Sequence, residues 1–158
     1  MAMNPDLRLS PSFTLADLIR SATADKRGLD NAPPENLLPN LRRLAQGLET
    51  IQSLLGQPLE VSSGYRSPAL NVAVGGTATS QHCRGLAADF VCPGYGPPLA
   101  IAQALAASTL DYDQAILEFG NWIHVSFTAS PRKRLLTIYD SREGYLDGLV
   151  DRDGTRIA

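Results

Sequence analysis

Asp89 lies inside an apolar run, LAADFV, and that placement restricts the fold of this chain more than any other feature. A carboxylate carried into a protein interior must be paired, hydrogen-bonded or metal-bound, unless it caps a helix or strand. The run closes a longer stretch, SQHCRGLAADFV (Ser80 to Val91), in which His82 precedes Asp89 by seven residues with Gly85 between them. That is the layout of half a metal site. The chain has only two histidines, and the second, His124, sits in WIHVSF, which alternates as a strand does. Two imidazoles and one carboxylate make three protein ligands, which for zinc leaves a fourth position open to water and to chemistry. Such a donor set suits zinc best, although iron(II) uses a similar triad.

At 158 residues the chain has the length of one domain with a real core. A net charge of -2 provides no overall basic field for nucleic acid or anionic lipid, so no nucleic-acid partner is expected. Pro131 to Arg134 (PRKR) is a local basic cluster and reads as a solvated turn. The first residues, MAMNPDLRLSPSF, hold no apolar signal segment, and no later stretch approaches a membrane span. The expectation is a chain made in the cytoplasm without a signal peptide, any extracytoplasmic work requiring another route out. Cys83 and Cys92 make no disulfide framework; they read as reduced thiols, with a bridge between them left open.

Along the chain, Thr14 reads as the N-cap of a short helix with Asp17 completing a capping box. GLDNAPPE (28–35) is a loop. From about Asn36, Leu37, Leu41, Leu44, Leu48, Ile51 and Leu55 recur at helical spacing, with Arg42, Arg43, Gln46 and Glu49 on the opposite face and Gly56 as the stop. LEVSS (59–63) reads as a strand leading to SGYRSP, where Pro68 extends the backbone before it and leaves Arg66 at a strand-to-loop junction. Gly75 and Gly76 mark a turn. LAIAQALAA (99–107) reads as a helix. AILE (115–118) and WIHVSF (122–127) form a hairpin around Phe119-Gly120-Asn121. A three-residue loop puts Glu118 opposite Trp122 and on the sheet face of His124, whereas two or four residues break that parity. LLTIY is a further strand, and the polar end is expected to fray.

A hydrolytic zinc site also needs a base and a cation. Glu118, at the end of the strand before His124, is the candidate base, with Asp113 in reserve. Arg66 is the candidate cation, because its fork can hold a carboxylate or a tetrahedral oxyanion. Ser80 and Gln81 stand where they can hydrogen-bond a substrate, and Trp122 is either core or pocket wall. A thiol hydrolase pairing Cys92 with His124 would leave His82 and Asp89 without a role.

Taken together, SGYRSPALN, SQHCRGLAADF and WIHVSF resemble the zinc D-alanyl-D-alanine carboxypeptidases, peptidoglycan peptidases that share a fold with the zinc-binding domain of hedgehog proteins. The similarity is greatest to the small bacterial and phage-borne branch and runs from about Phe13 to Leu149. It implies that His82, Asp89 and His124 bind zinc, that Arg66 contacts substrate or oxyanion, and that Ser80 lies in the substrate cleft. It also implies an acidic base near the second histidine, here Glu118. Other branches often carry an acidic residue or histidine closer before the last histidine, where this chain has Trp122.

The resulting expectation is a single α+β domain spanning 1–158, with helices packed on a small, mainly antiparallel sheet and zinc at one end of that sheet. Its reaction would be hydrolysis of peptidoglycan stem peptides next to a D-amino acid, after lysis-type release or as part of a phage particle. The rival from another class is a non-catalytic, zinc-containing cell-wall-binding module, which a fourth protein ligand such as Cys83 would favour.

Overall fold

The computed structural model describes residues 3–158. The leucine periodicity becomes α3 (Leu38–Leu55), entered through the 3-10 turn Glu35–Leu37 and ended by Gly56 in the left-handed conformation at φ 68°. Leu41, Leu44, Leu48 and Ile51 are fully buried along it, while Arg42, Arg43 and Gln46 face solvent. The capping box forms as expected. Thr14 Oγ1 accepts from the Asp17 amide and the Asp17 carboxylate accepts from the Thr14 amide, starting α1 (Leu15–Ile19). Two further helices, α2 (Ala22–Arg27) and α4 (Pro68–Ala73), are absent from the periodicity because six residues hardly exceed one turn and a half. Both begin at a serine N-cap, Ser21 or Ser67, and Ser67-Pro68 is a start signal that reads from sequence only as extended chain. The last helix, α5, spans Pro98–Ala107.

Six strands form one sheet: β1 (Glu60–Ser63), β2 (Ala87–Val91), β3 (Gln114–Glu118), β4 (Trp122–Ser126), β5 (Arg134–Ile138) and β6 (Leu146–Asp147). Their order is β1-β2-β4-β3-β5-β6, antiparallel throughout except for the parallel pair β3–β5. Ala88 and Phe90 of β2, Ala115 and Leu117 of β3, and Ile123 and Val125 of β4 join the core made by α1, α3 and α5. Because strand side chains alternate, Asp89, Glu118, Trp122 and His124 project from the opposite face, which carries no helical layer. This is the expected α+β architecture with a mainly antiparallel sheet.

Glu118 pairs with Trp122 and Ile116 with His124, so the hairpin loop has three residues and the parity that joins Glu118 to the face of His124 holds. The chain end does not fray. Leu149 and Val150 are buried, Leu149 exchanges backbone hydrogen bonds with Ile157 and Ala158, and Thr137 Oγ1 donates to the Gly148 carbonyl. Two apolar residues in an otherwise polar tail suffice to dock it, with Leu149 entering the main core. Both cysteines are free. The Cys92 thiol is in the core and donates to the carbonyls of Gln57 and Pro58, far from any role as a nucleophile beside His124.

Candidate active site

Asp89 and His124 are the third residues of β2 and β4, and the antiparallel register sets them directly opposite one another. Asp89 Oδ1 lies 3.0 Å from His124 Nδ1 and 3.3 Å from His82 Nε2. His82 arrives from a 3-10 turn, Gln81–Arg84, whose amide at His82 is accepted by Ser80 Oγ and whose end is turned by Gly85 at φ 70°. The Nδ1 of His82 is 2.6 Å from the Gly64 carbonyl oxygen. A carbonyl only accepts, so Nδ1 carries the proton and Nε2 is left with its lone pair. That Nε2 is buried and makes no hydrogen bond among the described residues.

The three side chains are buried and offer ligand atoms all within 4.8 Å of one another. Four ligands at zinc distances of 2.0–2.1 Å stand about 3.3 Å apart along the edges of a tetrahedron. The separations around Asp89 match that edge, and the unpartnered Nε2 has the tautomer a metal requires, so the residues fit zinc. The group lies mid-strand on the open sheet face, not at an end of the sheet as expected. The turn Gln81–Arg84 lies against part of that face and brings His82 to it. Burial alone would raise the Asp89 carboxyl; the hydrogen bond from His124 Nδ1, with the His82 imidazole close by, outweighs it and holds the group well below the usual carboxylate range.

Glu118 Oε1 is 3.7 Å from His124 Nδ1, outside the three-ligand group. Burial pushes its carboxyl up and the Asp89 charge adds to this, against the opposing pull of His124, Arg66 and the Trp122 indole. Arg66 has its Nη2 3.7 Å from Asp89 Oδ2. Its Nη1 donates to Asn71 Oδ1, its Nε to Ser63 Oγ and its backbone amide to the His82 carbonyl, so the guanidinium is tied in place beside the site.

A cleft of about 540 Å³ opens beside this group, lined by His124, Glu118, Ser80 and Gln81 among others. Trp122 does not line it; its ring packs on Phe119 with centroids 5.6 Å apart, against the hairpin loop. Cys83 is half-buried and is not among the three grouped ligands. Asp113, the reserve base, is fully engaged elsewhere: Arg132 donates Nε to Oδ1 and Nη2 to Oδ2, and Gln81 donates Nε2 to Oδ2. The basic cluster is solvent-exposed as expected, but Arg132 is also clamped by Asp113, and both Arg132 and Arg134 line the cleft. Thr77, Thr79 and Tyr145 line it too and lie outside every motif; Arg84 also lines it, within SQHCRGLAADF but at a position with no assigned role. Only the basic run offered a signal.

The bonds from Arg132 hold the Asp113 carboxyl at about 2 against burial, which would raise it. A lowered folded-state value stabilises the protein above the unfolded value, and the gain is lost as pH falls from about 4 through about 2. Wild type is expected to lose on the order of 1–2 kcal/mol more than Asp113→Asn between pH 6 and pH 2, allowing for solvent screening at the half-exposed Arg132. Urea unfolding of both proteins across that range measures it, and parallel pH curves would contradict the assignment.

An α+β domain whose sheet face carries a buried His–Asp–His group, with a separate carboxylate beside a cleft, has the parts that metal-assisted hydrolysis requires. The family model of Peptidase M15 matches residues 11–126, from before the first helix cap through β4, and the chain belongs to that family. M15 peptidases are zinc-dependent; the chain is a zinc metallopeptidase, and its substrate is a peptide. No curated protein is similar enough to count as a match. Among the described residues, no helix is long and apolar enough to cross a membrane.

Proposed function

We propose that the chain hydrolyses a peptide bond in peptidoglycan stem peptides, next to a D-amino acid, as a D,D-carboxypeptidase or an endopeptidase. In this reading His82, Asp89 and His124 hold zinc, Glu118 is the base, Arg66 the oxyanion partner, and Ser80 and Gln81 orient the peptide. The observation that carries it is Glu118, a carboxylate beside His124 at the cleft that is not one of the grouped ligands. Bound zinc supplies Lewis acidity toward the scissile carbonyl and toward water.

Glu118 takes a proton from the attacking water at a carboxylate oxygen and returns it to the leaving amine. Its raised proton affinity suits both halves of that task, because a base nearer the working pH accepts and releases more evenly. Arg66 does not line the cleft, but its Nη2 faces the outer oxygen of Asp89, and in this reading its fixed positive charge acts from there on the negative charge that develops on the carbonyl oxygen. Gln81 is anchored through its amide nitrogen by Asp113, and its Oε1 is buried without a partner, ready to accept a peptide N–H. The resemblance in SGYRSPALN, SQHCRGLAADF and WIHVSF supports stem peptides as the substrate and action on the wall after lysis-type release or from a phage particle. A non-catalytic wall-binding module is disfavoured because Cys83 does not complete the ligand group.

The test is mass spectrometry of purified peptidoglycan incubated with the protein as isolated, after chelation and after zinc is restored. New chain ends are expected that disappear with chelator and return with zinc, their masses separating carboxypeptidase from endopeptidase. Folded, zinc-loaded protein that generates no ends would overturn the reading in favour of the binding module.

A further inference from the structure

The cleft is not evenly charged along its length. Glu118 stands at the end of β3 and His124 two residues along from it, and the lining also includes three arginines, Arg84, Arg132 and Arg134, with Glu118 the only acidic lining residue. Gln114 is four residues before Glu118 on β3 and is in register with Arg134 on β5. At a strand rise of about 3.3 Å per residue, Arg134 is about 13 Å along the sheet from Glu118, and about 7 Å from the level of Ile116, which pairs with His124. An extended peptide advances roughly 3.3–3.6 Å per residue, so the Arg134 level is two to four residues from the reacting centre.

The three cations differ in how far their charge is already answered. Arg84 is exposed on the turn that carries His82 and has no ion-pair partner among the described residues. Arg134 touches Asp147 at 3.2 Å, but the Asp147 side chain is 79% exposed, so that pair is screened and exchanges readily. Arg132 is held by the buried Asp113 through Nε and Nη2, which orients the guanidinium while leaving Nη1 unused; its side chain remains about half exposed. The same carboxylate fixes Gln81, so one buried group aligns a cation and an amide on the cleft wall.

We propose that Arg84, Arg132 and Arg134 form an anion subsite that selects peptides carrying a free carboxylate two to four residues from the bond cleaved. The inference deepens the peptidase reading above and rests on it for the direction in which the substrate lies. A carboxylate there meets preorganised guanidinium donors, whereas the corresponding carboxamide meets arginines whose charge it cannot satisfy.

The probes are two synthetic peptides, L-Ala-γ-D-Glu-L-Lys-D-Ala-D-Ala with the glutamyl α-carboxylate free and the same peptide with it converted to a carboxamide. With zinc-loaded protein, the acid is expected to exceed the amide in kcat/KM on the order of 10- to 100-fold, mainly through KM. Arg84→Ala and Arg134→Ala, both on exposed side chains, are expected to bring the acid-to-amide ratio toward one and to weaken its salt dependence. Equal kcat/KM for both peptides overturns the subsite and leaves the peptidase intact. If neither peptide is cut, the peptidase assignment for these peptides fails, and calorimetric titration of both into zinc-loaded Glu118→Gln protein decides the subsite alone: tighter acid binding that the arginine variants abolish supports it, and equal binding overturns it.

Discussion

Glu118→Gln is expected to lower kcat by on the order of 10²–10⁴ while fold and zinc content stay at wild-type levels. The substitution keeps the shape of the side chain and removes its capacity to take a proton. Because Glu118 is outside the His82–Asp89–His124 group, zinc should remain bound, and metal analysis of the purified variant checks this. Glu118 is also half-buried with a raised carboxyl, so an uncharged amide relieves a partly desolvated group, and the variant should unfold at the same temperature or slightly higher. A variant that keeps more than about a tenth of wild-type kcat would remove Glu118 from the role of base, since general-base catalysis contributes at least about a hundredfold. Asp113 would not replace it, because Arg132 and Gln81 already fill its oxygens.

Gly64→Ala carries the second large effect, and it acts on stability and metal together. An added Cβ would stand 2.2 Å from the Leu18 carbonyl oxygen, a backbone atom that cannot swing aside. That carbonyl also accepts from the Tyr65 amide at 2.7 Å, so α1 and the end of β1 are joined there and must separate to admit a methyl group. Overpacking of this kind costs roughly 1–3 kcal/mol. The Gly64 carbonyl is in turn the acceptor that fixes His82 Nδ1. Displacing it frees the imidazole tautomer and orientation, and zinc affinity is expected to fall about 10- to 100-fold. Chemical denaturation and competition with a chromophoric chelator read the two effects separately. Destabilisation with undiminished zinc affinity would mean that the Gly64 carbonyl does not govern the ligand.

Much of the chemistry was legible in the chain because its spacing is local. Asp89 within LAADFV and His124 within WIHVSF alternate with residues that fill the core, so each had to leave its strand on the far face. A three-residue hairpin loop then settled the side of Glu118. The short helices α2 and α4 escaped because one and a half turns show no period, and the chain end was misread because Leu149 finds its burial only in the assembled core. Trp122 shows the opposite limit: an aromatic beside a candidate ligand reads equally as core or pocket wall, and only the packing of its ring on Phe119 separates the two.

By itself the sequence determined the types of the candidate ligands, the alternation that aims Asp89 and His124 away from the core, and the periodic helix α3 that forms part of that core. Only the tertiary structure decided that β2 and β4 are neighbours with Asp89 opposite His124, that Gly64 holds the His82 tautomer, and that Arg132 and Arg134 turn toward the cleft. Alternation and periodicity are properties of neighbouring residues and are written locally. Strand order, the parallel β3–β5 pairing and the contact of residues 18 to 35 positions apart are set by how the layers pack, which no local pattern encodes.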